Sequence, residues 1–247
     1  MSLFVGLMSG TSLDGIDAAL VEIDDESEQR PRLIDALCLP LAAELRTALL
    51  ELTQASQVSF AALGAAESAF CDHQAEAVRQ LLQRHGLTPD AITAIGSHGQ
   101  TIEHAPYADA PFTYQLDNPS RLAELTGCRV VADFRRRDMA AGGQAAPLAP
   151  IFHQALFTDT IRTRLILNLG GIANLTRLGP SGASLPVIGF DTGPANLLID
   201  AWHARHRGGP IDEDGNWAAS GNVDRHLLER LLDEPYFTCL LYTSPSP

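Results

Sequence analysis

Strand, glycine turn, strand is written twice in this chain, and that repetition limits the possible folds more than any other feature. Leu3 to Met8 is a short apolar run that stops at Ser9-Gly10, and Ala18 to Ile23 alternates apolar and polar residues as a half-buried strand does. Between them lies Gly10-Thr11-Ser12-Leu13-Asp14-Gly15, richer in glycine and hydroxyls than a plain hairpin turn requires. About 160 residues later the pattern returns, with Arg164 to Leu169, then Gly170-Gly171, then Ile172 to Thr176. In a chain of 247 residues, such a repeat predicts two α/β halves, each opened by a hairpin, facing a shared cleft. On the hairpins alone, two unrelated glycine turns explain the pattern equally well.

The stretches between the hairpins fit α/β halves. Leu41 to Leu52 and Phe60 to His85 read as helices; in the second, Leu63, Ala66, Phe70, Ala77, Leu81 and Leu82 recur at helical spacing, and Gly86 is placed to stop it. Ala91 to Ile95 reads as a short buried strand leading into a polar loop, Ser97-His98-Gly99-Gln100-Thr101. Phe112 to Leu116 and Cys128 to Phe134 read as further strands, and Asn118-Pro119 starts a helix through Leu125. Arg135 to Gln144 has the composition of an interdomain crossing, and Leu148 to Phe157 reads as helical.

Composition excludes several chemistries. All 17 of the Lys+Arg residues are arginine, so Schiff-base, pyridoxal-phosphate and P-loop lysines are out. A net charge of −13 argues against broad nucleic-acid binding. Cys38, Cys71, Cys128 and Cys239 are scattered without zinc spacing and read as free buried thiols. The N-terminus lacks the pattern of a signal peptide, and no apolar run could span a membrane, so a cytoplasmic protein without membrane contact is expected.

A phosphate site needs no lysine if backbone N–H groups and hydroxyls line a glycine turn. Thr11 and Ser12 supply hydroxyls, and Asp14 or Asp17 can hold Mg²⁺ or its waters; plain turn chemistry also accounts for Asp14-Gly15. Asp191, in Gly189-Phe190-Asp191-Thr192-Gly193-Pro194, reads as a carboxylate at the end of a strand, with Gly193 as N-cap and Pro194 as the first residue of a helix. The hydrogen-bonding density of residues 97–101 suits a polyhydroxylated ligand. One member of the Arg135-Arg136-Arg137 run could meet an anion bidentately. His203 and His206 read as surface, Trp202 and Trp217 as packing.

Several blocks together resemble the anhydro-N-acetylmuramic acid kinase family: GLMSGTSLDGID (6–17), IGSHGQTI (95–102), NPSRLAELTG (118–127), VVADFRRRDMAAGGQAAPLAPIFHQALF (130–157), LNLGGIAN (167–174), GFDTGPANLLIDAW (189–202) and DEDGNWAASG (212–221). The resemblance implies an α/β fold of two ribonuclease-H-like domains of the actin and sugar-kinase type around a nucleotide cleft. It places an N-terminal domain at 1–137 and part of a second at 138–237. It also implies ATP and Mg²⁺ as cofactors, an anhydro amino sugar as substrate, a homodimer, and phosphorylation of the sugar 6-oxygen while water opens the anhydro bridge. By resemblance, Asp191 is the general base. Gly10, Thr11, Ser12, Leu13, Asp14, Gly15, Ile16 and Asp17 form the first phosphate loop, with Asp14 or Asp17 near the metal, and Gly170 and Gly171 form the second. His98, Gln100, Thr101 and Arg135 are the sugar-side residues.

Residues 238–247 resemble nothing in that family, so the second domain is expected to be incomplete and the chain as written inactive or barely folded in its second half. A nucleotide-binding switch and a sugar-binding module without turnover are the alternatives.

Overall fold

Apolar alternation and one tight glycine build the first sheet. β1 (Ser2–Ser9) and β2 (Gly15–Ile23) pair antiparallel, from Ser2 opposite Ile23 to Met8 opposite Asp17. The computed structural model describes residues 2–24 and 30–235, which divide into one unit ending at Ala146 and another beginning at Pro147. β3 (Arg32–Pro40) extends the hairpin antiparallel to β2. It needs Gly15 at the crossing, because a Cβ there would lie 2.7 Å from Cys38 Sγ and 2.8 Å from the Leu39 carbonyl oxygen.

α1 (Ala43–Gln54) and α2 (Phe60–Arg84) follow. Ser59 caps α2, its hydroxyl accepting from the Ala62 N–H at 3.1 Å. Of the expected stripe the helix buries Ala66, Phe70, Ala77, Leu81 and Leu82, with Leu63 half-buried; it adds Cys71, Ala75 and Val78, all in one core with Val5, Leu7, Ile16 and Leu20 of the sheet.

β4 (Ile92–Ala105) lies parallel to β1, and β5 (Phe112–Leu116) pairs antiparallel with its second half. α3 (Pro119–Thr126) starts as expected, with Asn118 accepting from the Arg121 N–H at 2.9 Å and Pro119 in the first turn. β6 (Val130–Val131) runs parallel to β4, and the sheet order is β3-β2-β1-β4-β5 with β6 beside β4.

Three expectations for this unit change. Residues 97–101 continue β4 instead of forming a loop, because β1 pairs with Ser97 and Gln100 and β5 with Gln100 and Thr101. The strand expected from Cys128 to Phe134 shrinks to two residues, since Asp133 adopts φ 64° and turns the chain into α4 (Phe134–Ala140), so a helix stands where a crossing was expected. Cys38 is exposed, while Cys71 and Cys128 are buried; burial pushes the Cys71 thiol up to about 12, which leaves it inert. Cys239 and the tail at 238–247 lie outside the described residues.

The second unit begins with α5 (Ala149–Phe157) and an antiparallel sheet of β7 (Arg164–Leu169), β8 (Ile172–Leu178) and β9 (Ile188–Pro194) in that order. α5 packs on it through Pro150, close against Gly189, and through His153, whose ring nitrogen lies 2.9 Å from Thr176 Oγ1. α6 (Asn196–Arg207), α7 (Asn216–Ala219) and α8 (Arg225–Leu232) complete it. Pro194 ends β9 and Ala195 is the N-cap of α6, so the helix starts two residues later than expected. Trp202 is 57% exposed and lies tilted against His206 with ring centroids 4.2 Å apart, so it does not enter a core. Among the described residues, no helix is long and apolar enough to cross a membrane.

Candidate functional site

The tip of the first hairpin is clamped from below and open above. Leu13 N–H bonds to the Gly10 carbonyl at 3.2 Å, closing a turn in which Leu13 takes φ 55° and points inward, 3% exposed. Arg46 of α1 donates from Nε to the Leu13 carbonyl at 3.2 Å, and Leu41 N–H donates to the Asp14 carbonyl at 3.2 Å. Thr11, Ser12 and Asp14 stay exposed, while Ile16 is buried with Leu13. Of the expected phosphate loop, Leu13, Gly15 and Ile16 are buried and anchor it, and Gly10, Thr11, Ser12 and Asp14 shape the outer rim.

Asp17 is exposed on β2, where the Cys38 thiol hydrogen-bonds to it; burial, then this bond, raises the thiol above its ordinary range. Among the described residues, no group of three or more His, Cys, Asp or Glu could hold a metal ion. The two exposed carboxylates of Asp14 and Asp17 fit Mg²⁺ that arrives already bound to phosphate oxygens and keeps most of its waters.

One buried bond ties this tip to β4. The Ser9 hydroxyl lies 2.7 Å from Gln100 Oε1 and 3.2 Å from the Gly15 carbonyl, and Gln100 Nε2 donates to the Thr101 carbonyl at 3.1 Å. Gln100 is 0% exposed, so the structure places it as a brace between the two segments. Thr101, half-buried, lies with its hydroxyl 3.4 Å from Gln115 Nε2.

His98 and Arg135 meet across 37 positions of sequence: Arg135 Nε donates to His98 Nε2 at 2.8 Å, and Arg135 Nη1 donates to the Ala145 carbonyl at 2.8 Å. Asp138 fixes the small-residue turn that presents this carbonyl, its Oδ2 accepting from the Ala145 N–H at 2.8 Å. Neither Asp138 nor Ser9 stood out in the sequence, where only the run of Ala and Gly after Asp138 hinted at a tight turn. Asp117, also not foreseen, packs against Gly99. Burial raises its carboxyl above the ordinary range, offset in part by Ser97, Gln74 and the Asn118 N–H.

Gly99 makes this corner possible. It adopts φ 74°, and a Cβ there would lie 2.8 Å from the Leu116 carbonyl oxygen and 3.0 Å from Asp117 Cβ. Gly99→Ala is expected to destabilise the chain by about 2 kcal/mol, from backbone strain plus the clash. A urea titration checks this, and an unchanged midpoint would contradict it.

In the second unit, the Gly170-Gly171 turn is held by its carbonyls. Gly170 accepts from the Asn196 N–H at 3.0 Å, and Gly171 from Ala195 and Leu197 at 2.9 and 3.1 Å, so α6 begins directly on the turn. Asp191 stands in the middle of β9, half-buried and opposite Asn174, not at the strand end. A bulge follows at once: Asn174 pairs with Asp191 and Ala173 with Gly193, leaving Thr192 as the extra residue, its hydroxyl donating to the Ala173 carbonyl at 3.2 Å. Such bulges re-aim a neighbouring side chain and are enriched beside active sites. The first unit thus joins residues 9–17 with 98–101 and 135, and the second joins Gly170-Gly171 with β9 through β8 and α6.

The family model described as anhydro-N-acetylmuramic acid kinase matches residues 2–244, so the match runs into the segment 238–247 that was expected to lie outside the family. A curated anhydro-N-acetylmuramic acid kinase from Chromohalobacter salexigens is 65% identical over 240 residues, covering 97% of this chain and 64% of that relative. One from Pseudomonas putida is 50% identical over 237 residues, 96% of this chain and 63% of the relative. The chain therefore spans a little under two thirds of the length of the curated relatives it matches. Among solved structures, a ROK hexokinase from Thermus thermophilus aligns at TM-score 0.29 and 15% identity over 96% of this chain and 72% of that one, a likeness too slight to carry weight.

Proposed function

The chain belongs to the anhydro-N-acetylmuramic acid kinase family, and we propose that the protein it represents uses ATP to phosphorylate 1,6-anhydro-N-acetylmuramic acid while water opens the anhydro bridge. The observation carrying this reading is the family match along nearly the whole chain. In the proposed reaction, Asp191 takes a proton from water as the water oxygen bonds to the anomeric carbon. The bond from that carbon to the 6-oxygen breaks, and the 6-oxygen attacks the γ-phosphorus, releasing ADP. The products are N-acetylmuramic acid 6-phosphate and ADP.

Each residue set has a matching task. A carboxylate base must be ionised and aimed, and the bulge at Thr192 supports the aim of Asp191. Phosphoryl transfer needs mainly positioning and charge stabilisation, which the rim at Gly10, Thr11, Ser12 and Asp14 and the turn at Gly170-Gly171 supply through backbone and hydroxyl groups. Mg²⁺ entering with ATP would meet Asp14 and Asp17 and neutralise charge developing on the phosphates. Arg135 and Thr101 would meet the sugar.

Each unit contains an antiparallel three-strand run followed by a helix: β1-β2-β3 before α1, and β7-β8-β9 before α6. This repetition supports two ribonuclease-H-like domains, the second incomplete in this chain. The family resemblance further supports a cytoplasmic homodimer.

ADP release with and without the anhydro sugar, in a chain extended to the full length of its relatives, tests the reading. Release is expected only with sugar present. Sugar-independent release at the same rate would point to a nucleotide switch instead.

A further inference from the structure

Arg135 is held from behind by an imidazole, and that bond is possible in one protonation state only. A ring nitrogen that accepts the Arg135 Nε–H must lack a proton. The ring proton therefore sits on the other nitrogen, and His98 Nδ1 donates to the Gly99 carbonyl at 2.8 Å. The two partners select the neutral Nδ1–H form between them. Of the five N–H donors of a guanidinium, one goes to His98 and one to Ala145, leaving three for oxygens of a ligand.

We infer that His98 is a positioning residue and not a sugar contact: as the neutral Nδ1–H tautomer it fixes the aim of the Arg135 guanidinium, which carries the ligand contact. The ligand part rests on the anhydro-sugar reading above; the tautomer part stands without it. An imidazole that touched the sugar directly would need a ring nitrogen for it, and both are already engaged.

The surroundings keep the ring neutral. Burial is the largest influence lowering the His98 pKa, and the Arg135 cation on α4 adds to it, against the Gly99 carbonyl, which raises it. Burial, and after it the same cation, also lowers His104 farther along β4, and Asp138 of α4 braces Ala145. The sign follows: the folded state binds fewer protons at His98 than the unfolded chain does. Its contribution is flat above the unfolded value of about 6.5, and stability falls as pH drops from there through the depressed folded value. Below that value the ring loses its acceptor and faces Arg135 as a like charge.

Long-range ¹H–¹⁵N spectra of the imidazoles in this chain read the first part. His98 is expected as Nδ1–H with a pKa below the ordinary value, and Arg135→Met is expected to move that pKa upward. An Nε2–H tautomer, or a pKa unmoved by Arg135→Met, overturns the inference. Calorimetric titration with 1,6-anhydro-N-acetylmuramic acid reads the second part. His98→Leu is expected to weaken binding about tenfold, the loss of a charge-assisted hydrogen bond, while His98→Gln, which keeps an acceptor, recovers most of it. In the Arg135→Met background, His98→Leu should change affinity less than about twofold, since the two act as one unit. A full additional tenfold loss there would make His98 an independent contact and overturn the inference. If the unsubstituted chain binds no sugar, the anhydro-sugar reading fails for this chain, and the spectra alone decide the tautomer.

Discussion

Asp191→Asn is expected to lower turnover by ~10²–10⁴-fold in a chain extended to the length of its relatives, with the Michaelis constant for the sugar little changed. Asparagine has nearly the same shape, so β9 and the bulge at Thr192 should persist and only the capacity to take a proton from water is lost. Initial rates of ADP release with saturating sugar make the comparison. Turnover kept within about tenfold would remove Asp191 from the role of base.

Phe70→Ala carries the largest expected effect on stability. Phe70 is 1% exposed at the centre of α2, in the same core as Leu20 and Val5 of the sheet. Removing its ring should cost about 3–5 kcal/mol, since the surroundings close a ring-sized cavity only in part. That is a large fraction of the stability of an ordinary domain. Phe60, ten positions earlier on the same helix, is 93% exposed and serves as the internal control; its replacement by Ala should shift stability by no more than about 0.5 kcal/mol. Equal midpoints for the two variants in chemical denaturation would refute this picture of the core.

How far the sequence could be read depended on whether the cause of each element is local. The glycine turn of the first hairpin, the apolar stripe of α2 and the Asn118-Pro119 start of α3 are set by residues within a few positions of one another, and all three stand where the pattern placed them. β3 went unread because most of its side chains are exposed or half-exposed, so it shows no clean alternation. Residues 97–101 read as a loop because β1 and β5, whose pairing makes them strand, contribute nothing visible within the segment itself. Likewise, Pro194 suited a helix start by type, yet strand pairing with Ile172 keeps it in β9.

The candidate site shows the same division. Gly10 to Asp17, Gly170-Gly171 and Asp191 were found by residue type and resemblance, and the local geometry then sorted rim from anchor, turning Leu13 and Ile16 inward. Gln100 was recognised as polar and unusual, but its use as a brace depends on Ser9, whose strand pairs with β4. The link from His98 to Arg135 depends on α4 folding back onto β4, and nothing near either residue in the sequence announces it.

The proposed addition of water and phosphate to one sugar in a single cycle is tested most directly by mass analysis of the product. A chain extended to the length of its relatives is incubated with 1,6-anhydro-N-acetylmuramic acid, ATP and Mg²⁺. The expected result is a sugar product that has gained both one phosphoryl group and one water, formed mole for mole with ADP. ADP formed without a phosphosugar, or a phosphosugar that retains the anhydro bridge, would contradict it.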